Sequence, residues 1–262
     1  MSAAIDVDDV TIAFDTAKGL LLAVDRVSFQ VRRGEFVCLL GPSGCGKSTL
    51  LNAIAGFERP YAGHVRVGGA EVTAPGPDRG VVFQQPNLFP WKSVRANIAH
   101  GPRVRGASRA EAGAIADRLI ATVGLTRFAD ASPHTLSGGM QQRVAIARAL
   151  ANEPEILLMD EPFGALDAQT RAIMQENLLQ LWSSISATVV FVTHDIEEAI
   201  LLADRVIVMT AGPGRILETL EVGLERPRAV EASADPRFVA LKRHCFELIR
   251  RESAQAFEKS AA

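Results

Sequence analysis

Short apolar runs recur along the chain and end at glycine or polar residues. Runs of this kind predict strands buried on both faces, and they occupy residues 35–40, 80–84, 156–160 and 188–193. The last two are separated by an amphipathic stretch, residues 168–185, which predicts a helix that crosses between parallel strands. The pattern therefore predicts the α/β class, with helices covering a parallel sheet.

A different alternation occurs near the beginning of the chain. Residues 7–14 and 23–31 alternate apolar with polar side chains and predict half-buried strands joined by a loop at 15–19. Residues 63–69 alternate in the same way. These three segments predict an antiparallel edge beside the parallel sheet.

Two helical regions depart from the alternation of strands and helices. Between residues 85 and 151 the pattern is mostly helical, which predicts an insertion into the α/β plan. After residue 225 charges of both signs surround an apolar stripe, and this predicts a surface helix with a solvated face of arginines. The stripe consists of Phe238, Leu241, Cys245, Leu248 and Ile249.

Composition narrows the class of protein. The 262 residues suffice for one α/β domain with an insertion, and the net charge of −2 argues against a nucleic-acid partner. Three scattered cysteines do not form a disulfide or zinc pattern. No apolar run approaches the roughly 20 residues that a bilayer-spanning helix needs, so we expect a soluble chain.

A glycine-rich motif lies between the first apolar run and a predicted helix, residues 47–55, that ends before Gly56. It fits the phosphate-binding pattern G-x-x-x-x-G-K-[ST], in which Lys47 reaches the β- and γ-phosphates and Ser48 ligates Mg²⁺. The alternative is a glycine-rich turn without a ligand, but the strand and helix on either side favour nucleotide binding. The motif consists of Gly41, Pro42, Ser43, Gly44, Cys45, Gly46, Lys47, Ser48 and Thr49.

Two further motifs carry groups suited to phosphate chemistry. Asp160 and Glu161 end a buried strand, where Asp160 suits a Mg²⁺ partner and Glu161 a general base for water. Taken alone, they are as readily a pair of acids that cap the next helix. Ser137, Gly138 and Gly139 open a helix with a hydroxyl and bare backbone amides, either as a second anion site or as an ordinary capped turn.

Together these motifs resemble those of ATP-binding cassette (ABC) proteins over roughly residues 7–220. The resemblance implies a P-loop NTPase fold with a RecA-like core, an antiparallel β edge and an inserted α-helical signature subdomain. The implied boundaries are 1–84 and 152–224 for the core, 85–151 for the signature subdomain and 225–262 for a helical tail. The implied ligands are ATP and Mg²⁺.

The same resemblance implies roles for single residues outside the phosphate loop. Phe14 matches the aromatic that stacks on adenine, although a core aromatic at a strand end fits that position too. Gln84 matches the glutamine that contacts Mg²⁺ and water, and Asp167 belongs to a loop at the dimer interface. His194 matches the histidine that contacts the γ-phosphate, against the alternative of a structural histidine.

The partners are also implied by the resemblance. Two copies would pack head to tail, so that the phosphate loop of one faces the Ser137 to Gly139 segment of the other. A membrane permease would receive energy from the dimer at the cytoplasmic face, and a solute-binding protein would act indirectly. Leu88, Phe89 and Trp91 are either core of the helical subdomain or part of the groove for the permease.

Three classes of cassette protein remain to be separated: importer subunit, detached exporter ATPase and non-transport ATPase. The interval before the signature is too short for the coiled coil of the repair type, and a single set of motifs argues against the translation type. Residues 75–84 and 163–171 resemble the nitrate, sulfonate and taurine importer subunits. We expect taurine or another alkanesulfonate as the solute, then nitrate, with pyrimidine precursors also open.

Overall fold

The computed structural model describes residues 3–17, 19–185, 187–226, 228 and 230–261. The chain separates into two compact units. The first unit contains the residues up to Gly76 together with those from Thr188 onward, and the second runs from Pro77 to Ala187. The predicted division into core, signature subdomain and tail stays a prediction.

The first unit carries the antiparallel edge and most of the parallel strands. Its elements in chain order are β1 (Ala3–Thr16), β2 (Gly19–Arg32), β3 (Phe36–Leu40), α1 (Lys47–Ala55), β4 (Ala62–Val67), β5 (Ala70–Glu71), β8 (Thr188–Thr193), α7 (Ile196–Leu202), β9 (Arg205–Met209), β10 (Ile216–Glu221), a 3-10 turn (Val230–Ala234) and α8 (Pro236–Ala261).

The second unit carries the remaining elements of the chain. These are β6 (Arg79–Val82), α2 (Val94–Ile98), α3 (His100–Val104), α4 (Arg109–Thr122), two 3-10 turns (Thr126–Phe128 and Pro133–Thr135), α5 (Gly138–Leu150), β7 (Ile156–Asp160) and α6 (Ala168–Ile185).

An antiparallel sheet in the order β2-β1-β4-β5 forms from the alternating segments near the beginning of the chain. Strand β1 pairs with β2 and with β4, and the inward residues of β1, among them Ile5, Val10 and Ile12, are fully buried. The predicted antiparallel edge is confirmed. The sequence pattern underestimates strand length, because β1 and β2 extend beyond the predicted segments at both ends.

Parallel pairing in the first unit joins β3 to β8 on one side and to β9 on the other. All residues of β3 and β8 are buried, as expected for apolar runs covered on both faces. Leu40, the last residue of β3, pairs with Thr193 of β8 and with Val208 of β9. The segments that follow these residues therefore leave the sheet at the same edge. Strand β10 adds to β9 in antiparallel orientation.

The C-terminal helix α8 packs its predicted stripe inward. Phe238 is 2% exposed and Cys245 is fully buried, whereas Val239 and Phe246 on the other side are exposed. The predicted surface helix is thus present. Two arginines that precede it are not solvated as the sequence pattern suggests: Arg228 is 5% exposed and Arg226 pairs with Asp204.

In the second unit, β6 and β7 are parallel neighbours, and Val82 pairs with Met159. Of the helices between them, α2, α4 and α5 begin at serine caps. The Ser93 hydroxyl accepts a hydrogen bond from the Ala96 amide, and Ser108 forms a capping box with Glu111. In the part of the chain that the structure describes, no helix has the length and hydrophobicity to span a bilayer.

Candidate functional site

The glycine-rich motif forms a tight loop between β3 and α1. Gly44 and Gly46 have φ angles of 77° and 93°, in the left-handed region that side chains rarely adopt. A Cβ atom added at Gly46 would also lie 2.7 Å from the Ala23 carbonyl oxygen. Glycine is therefore required at Gly46 by both conformation and space.

Lys47 is the buried cation of this loop. Its side chain is directed back into the loop, where Nζ donates to the carbonyl oxygens of Gly41 and Pro42 at 2.8 Å each. The residue is only 4% exposed. A buried ammonium held by neutral carbonyls, at the N-terminus of a helix, supplies the positive potential that a triphosphate needs. The loop thus fits a nucleotide phosphate chain.

Cys45 lies inside the loop and is 1% exposed. Burial raises the pKa of its thiol above the ordinary value of 9.0, and the neighbouring Lys47 opposes that shift. The thiol is therefore protonated near neutral pH. It acts in the fold as a small packed group rather than as a reactive thiolate.

Two other predicted site residues belong to the same unit. Phe14 lies on β1, paired with Leu21 of β2, and is half-buried. His194 is exposed and directly follows Thr193, the residue of β8 that pairs with Leu40. The register therefore brings His194 and the beginning of the phosphate loop to the same edge of the sheet.

The acidic pair and Gln84 lie in the second unit. Gln84 comes two residues after Val82, and Asp160 and Glu161 follow Met159, the strand partner of Val82. These three side chains therefore leave neighbouring strands at the same edge. Glu161 has a φ of 43°, which is strained for a residue with a side chain and costs about 1–3 kcal/mol. Strain of this kind is concentrated at functional sites.

The Ser-Gly-Gly turn and the loop at Asp167 are in contact within the second unit. Ser137 caps α5 by accepting a hydrogen bond from the Met140 amide, and Ser137 and Gly138 are exposed. A Cβ added at Gly139 would lie 2.8 Å from a methyl group of Leu166, so the turn packs on the residue before Asp167. The Asp167 carboxylate accepts hydrogen bonds from the amide and the hydroxyl of Thr170, which lower its pKa.

Helix α5 also holds the segment that contains Gln84, through two side chains that the sequence did not single out. Gln142 is 1% exposed, and its amide donates to the Phe83 carbonyl oxygen at 3.0 Å. The Arg148 guanidinium donates to the carbonyl oxygens of Asn87 and Pro86 at 2.7 and 2.9 Å. Gln142 lies three residues after Gly139, but its partner could not be inferred from the sequence.

A buried asparagine fixes the turn that contains Leu88, Phe89 and Trp91. Asn97 is fully buried; its carbonyl accepts from the Phe89 amide at 2.8 Å, and its own amide donates to the Lys92 carbonyl at 3.1 Å. Phe89 packs against Trp91 with ring centroids 5.6 Å apart. Trp91 nevertheless remains 76% exposed. A large aromatic is thus presented to solvent on a rigid turn.

These features define a P-loop nucleotide-binding protein. It also has carboxylates at strand ends and a second turn suited to binding an anion. Comparison with known proteins agrees: the family model described as ABC transporter matches residues 24–164. The chain belongs to the ABC transporter family and is an ATP-binding ATPase domain of that family.

Two relatives and one solved structure illustrate the likeness. The nitrate import ATP-binding protein NrtD of Synechococcus elongatus is 47% identical over 94% of this chain and 92% of its own. The bicarbonate transport ATP-binding protein CmpD of Synechocystis is 44% identical over 95% and 89%. A dimeric ATP-binding cassette in a post-hydrolysis state, bound to ADP and Pi, matches with a TM-score of 0.77 and 35% identity over 84% of this chain and 100% of that chain.

Proposed function

We propose that this chain is the energising subunit of an ABC importer and hydrolyses ATP between two copies of itself. The observation that carries the proposal is the edge formed by the Leu40 and Thr193 pair, from which the phosphate loop and His194 both emerge. Reactive groups of open α/β sheets gather at such carboxyl ends. One of the relatives is named for nitrate import, which favours an importer over a detached exporter ATPase.

The proposed catalytic roles are those that the family resemblance implies, and each agrees with the chemistry of its group. Lys47 binds the β- and γ-phosphates, Glu161 polarises the attacking water, and Gln84 and His194 orient water and the γ-phosphate. Phe14 stacks on the adenine. The residues Gly41 to Thr49 hold the phosphates with their backbone amides.

The proposed Mg²⁺ ligands are Ser48, Gln84 and Asp160. Within the described residues, no group of three His, Cys, Asp or Glu side chains could hold a metal by itself. This donor set fits Mg²⁺, which proteins bind through one or two carboxylates together with substrate phosphates. When bound, the ion neutralises charge on the β- and γ-phosphates.

The second half of each site would come from the partner copy. Ser137, Gly138 and Asp167 are exposed in this chain, and so their polar groups are accessible to another molecule. A related cassette has been solved as a dimer with ADP and Pi. Head-to-tail packing would place Ser137, Gly138 and Gly139 of one copy on the triphosphate held by the other, and ATP would stabilise the dimer by differential binding.

We further propose that the Phe89 turn receives a cytoplasmic segment of a permease, with the subunit bound at the cytoplasmic face of the membrane. Support comes from Trp91, an exposed aromatic on the turn that Asn97 fixes through Phe89, because aromatic side chains are frequent interface anchors. A solute-binding protein would act on the permease, and no nucleic acid takes part.

For the solute we propose nitrate or a similarly small inorganic anion. Taurine or another alkanesulfonate is the first expectation from the sequence, but two relatives are named for nitrate import and for bicarbonate transport, which favours the alternative. Growth tests this proposal. A strain deleted for this gene is grown with nitrate as sole nitrogen source, with ammonium as control, and in parallel with taurine as sole sulfur source.

The deletion strain is complemented with the wild-type gene or with Lys47→Ala. Failure on nitrate alone, restored by the wild type and not by Lys47→Ala, supports the nitrate proposal. Failure on taurine alone returns the assignment to the sulfonates. Normal growth on both would contradict each of these solutes in a strain without a second importer.

A further inference from the structure

The loop between β9 and β10 lies directly against the phosphate loop. A Cβ added at Gly214 would lie 2.1 Å from the Cys45 carbonyl oxygen, and one added at Gly212 would lie 3.8 Å from the Gly44 carbonyl oxygen. At the other end of the motif, a Cβ added at Gly41 would lie 2.9 Å from the Met209 carbonyl oxygen. The backbone of residues 209–214 therefore forms a shelf on which the phosphate loop lies.

Strand β2 fixes one side of this shelf. The Gly214 amide donates to the Ala23 carbonyl, and the Asp25 amide donates to the Gly214 carbonyl, both at 2.9 Å. The Arg215 Nε donates to the Asp25 carboxylate at 2.8 Å, and this pairing lowers the pKa of Asp25. These hydrogen bonds tie the shelf to β2.

Helix α8 holds the shelf from the C-terminal part of the chain. The Ala211 amide donates to Oε2 of Glu252 at 2.9 Å. Two other side chains of α8, Lys242 and His244, pair with Glu197 and Glu218 at exposed positions. Exposed ion pairs contribute little, whereas a partly buried carboxylate that accepts from a backbone amide makes a charge-assisted hydrogen bond. Glu252 therefore ties α8 to the shelf at Ala211.

We propose that Glu252 is a positioning residue for ATP binding, acting through Ala211 and Gly214 on the phosphate loop. It does not touch the nucleotide. By fixing Ala211 it holds Gly214 against Cys45, and so keeps the loop amides aimed inward. Helix α8 is thereby coupled to ATP affinity. The inference rests on the nucleotide-binding role proposed for residues 41–49.

The test uses the full-length chain and three variants of α8. Glu252→Leu removes the acceptor and retains bulk, and Glu252→Gln retains an acceptor oxygen. Glu247→Leu changes an exposed carboxylate on the same helix, one that pairs with Arg243. Affinity is measured by calorimetry with Mg–AMP-PNP, a non-hydrolysable ATP analogue. Steady-state assays give KM for ATP and kcat, and the melting temperature is recorded for each variant.

We expect Glu252→Leu to raise the Kd for Mg–AMP-PNP and the KM for ATP about tenfold and to leave kcat unchanged. A tenfold change in Kd corresponds to the loss of one charge-assisted hydrogen bond. Glu252→Gln should fall between this variant and the wild type, and Glu247→Leu should match the wild type. A Kd for Glu252→Leu equal to that of Glu247→Leu would overturn the inference, as would a fall in kcat without a change in Kd.

A second variant tests the shelf from its other end. Gly214→Ala introduces a Cβ that the Cys45 carbonyl cannot accommodate, so the phosphate loop must shift and the Kd must rise. An unchanged Kd in Gly214→Ala would also overturn the inference. If the wild type itself does not bind Mg–AMP-PNP, the nucleotide-binding proposal fails, which is a different result from equal binding by wild type and variants.

Discussion

At the scale of single residues, Glu161 combines a strained backbone with a position at the carboxyl end of β7. We expect Glu161→Gln to bind ATP with wild-type affinity, because the amide is isosteric, and to lose at least about 100-fold in kcat, because a general base contributes that much. Single-turnover hydrolysis and equilibrium binding of ATP measure the two effects separately.

A matched control for Glu161→Gln is available in the same unit. Glu153 also has a positive φ, 45°, but its side chain is 70% exposed and pairs loosely with Arg118. Glu153→Gln should hydrolyse ATP at the parent rate. If Glu161→Gln also turned over at that rate, Glu161 would not be the base.

Cys45 gives a pH-dependent prediction at the same scale. Burial raises the pKa of the Cys45 thiol above 9.0. The reactive thiolate is therefore scarce at pH 7 and becomes abundant only above pH 9. We expect alkylation by iodoacetamide to be slow at pH 7 and to accelerate about tenfold per pH unit to beyond pH 9, with loss of ATPase activity and protection by ATP.

Mass spectrometry of the Cys45 peptide, with glutathione as reference thiol, measures the rate. A plateau below pH 9, or full activity after labelling, would contradict the buried position or the phosphate role.

At the scale of elements, α5 connects the Ser-Gly-Gly turn to the segment of Gln84 through Gln142. We expect Gln142→Leu to lower kcat about three- to tenfold with little change in KM for ATP. The Phe83 carbonyl oxygen loses a buried donor, and such a loss costs about 1–3 kcal/mol. Steady-state ATPase assays separate kcat from KM. Gln180→Leu, at an exposed position of α6, serves as the control, and equal kcat values in the two variants would contradict the role of Gln142.

The sequence predicts those elements whose signal is local. Apolar runs identify β3, β7 and β8, and the pattern of glycines identifies the phosphate loop, because each depends on neighbouring residues only. The strands β9 and β10 are not predicted, and neither is the burial of Arg228. That guanidinium donates to the Ile200 and Leu224 carbonyl oxygens, and burial lowers its pKa to about 10.

Contacts between residues far apart in the sequence explain why other features of the structure are not predicted. Gln142 and Phe83 lie 59 positions apart in the chain, and Glu252 and Ala211 lie 41 positions apart. A glutamine or glutamate on a helix has the same local pattern whether it is solvated or bonded to a remote backbone group. Only the fold distinguishes the two cases. The sequence therefore predicts the phosphate loop but does not predict the positioning residues.

At the scale of the whole molecule, the proposed dimer makes activity depend on a surface that each copy presents to the other. Gly138 tests this dependence, because a Cβ added there meets no atom within 4 Å. Gly138→Asp should therefore leave the fold of each copy intact. Its carboxylate would face the triphosphate of the partner copy, and opposed like charges at an interface cost several kcal/mol.

We expect Gly138→Asp to bind ATP through its own phosphate loop but to stay monomeric and to lose turnover. Sedimentation with ATP in the Glu161→Gln background measures the association, since slow hydrolysis should preserve the dimer. Gly113→Asp is the matched control, because Gly113 is another helical glycine whose added Cβ meets no atom within 4 Å. An ATP-dependent dimer formed equally well by both variants would exclude the Ser137 to Gly139 turn from the second half of the site.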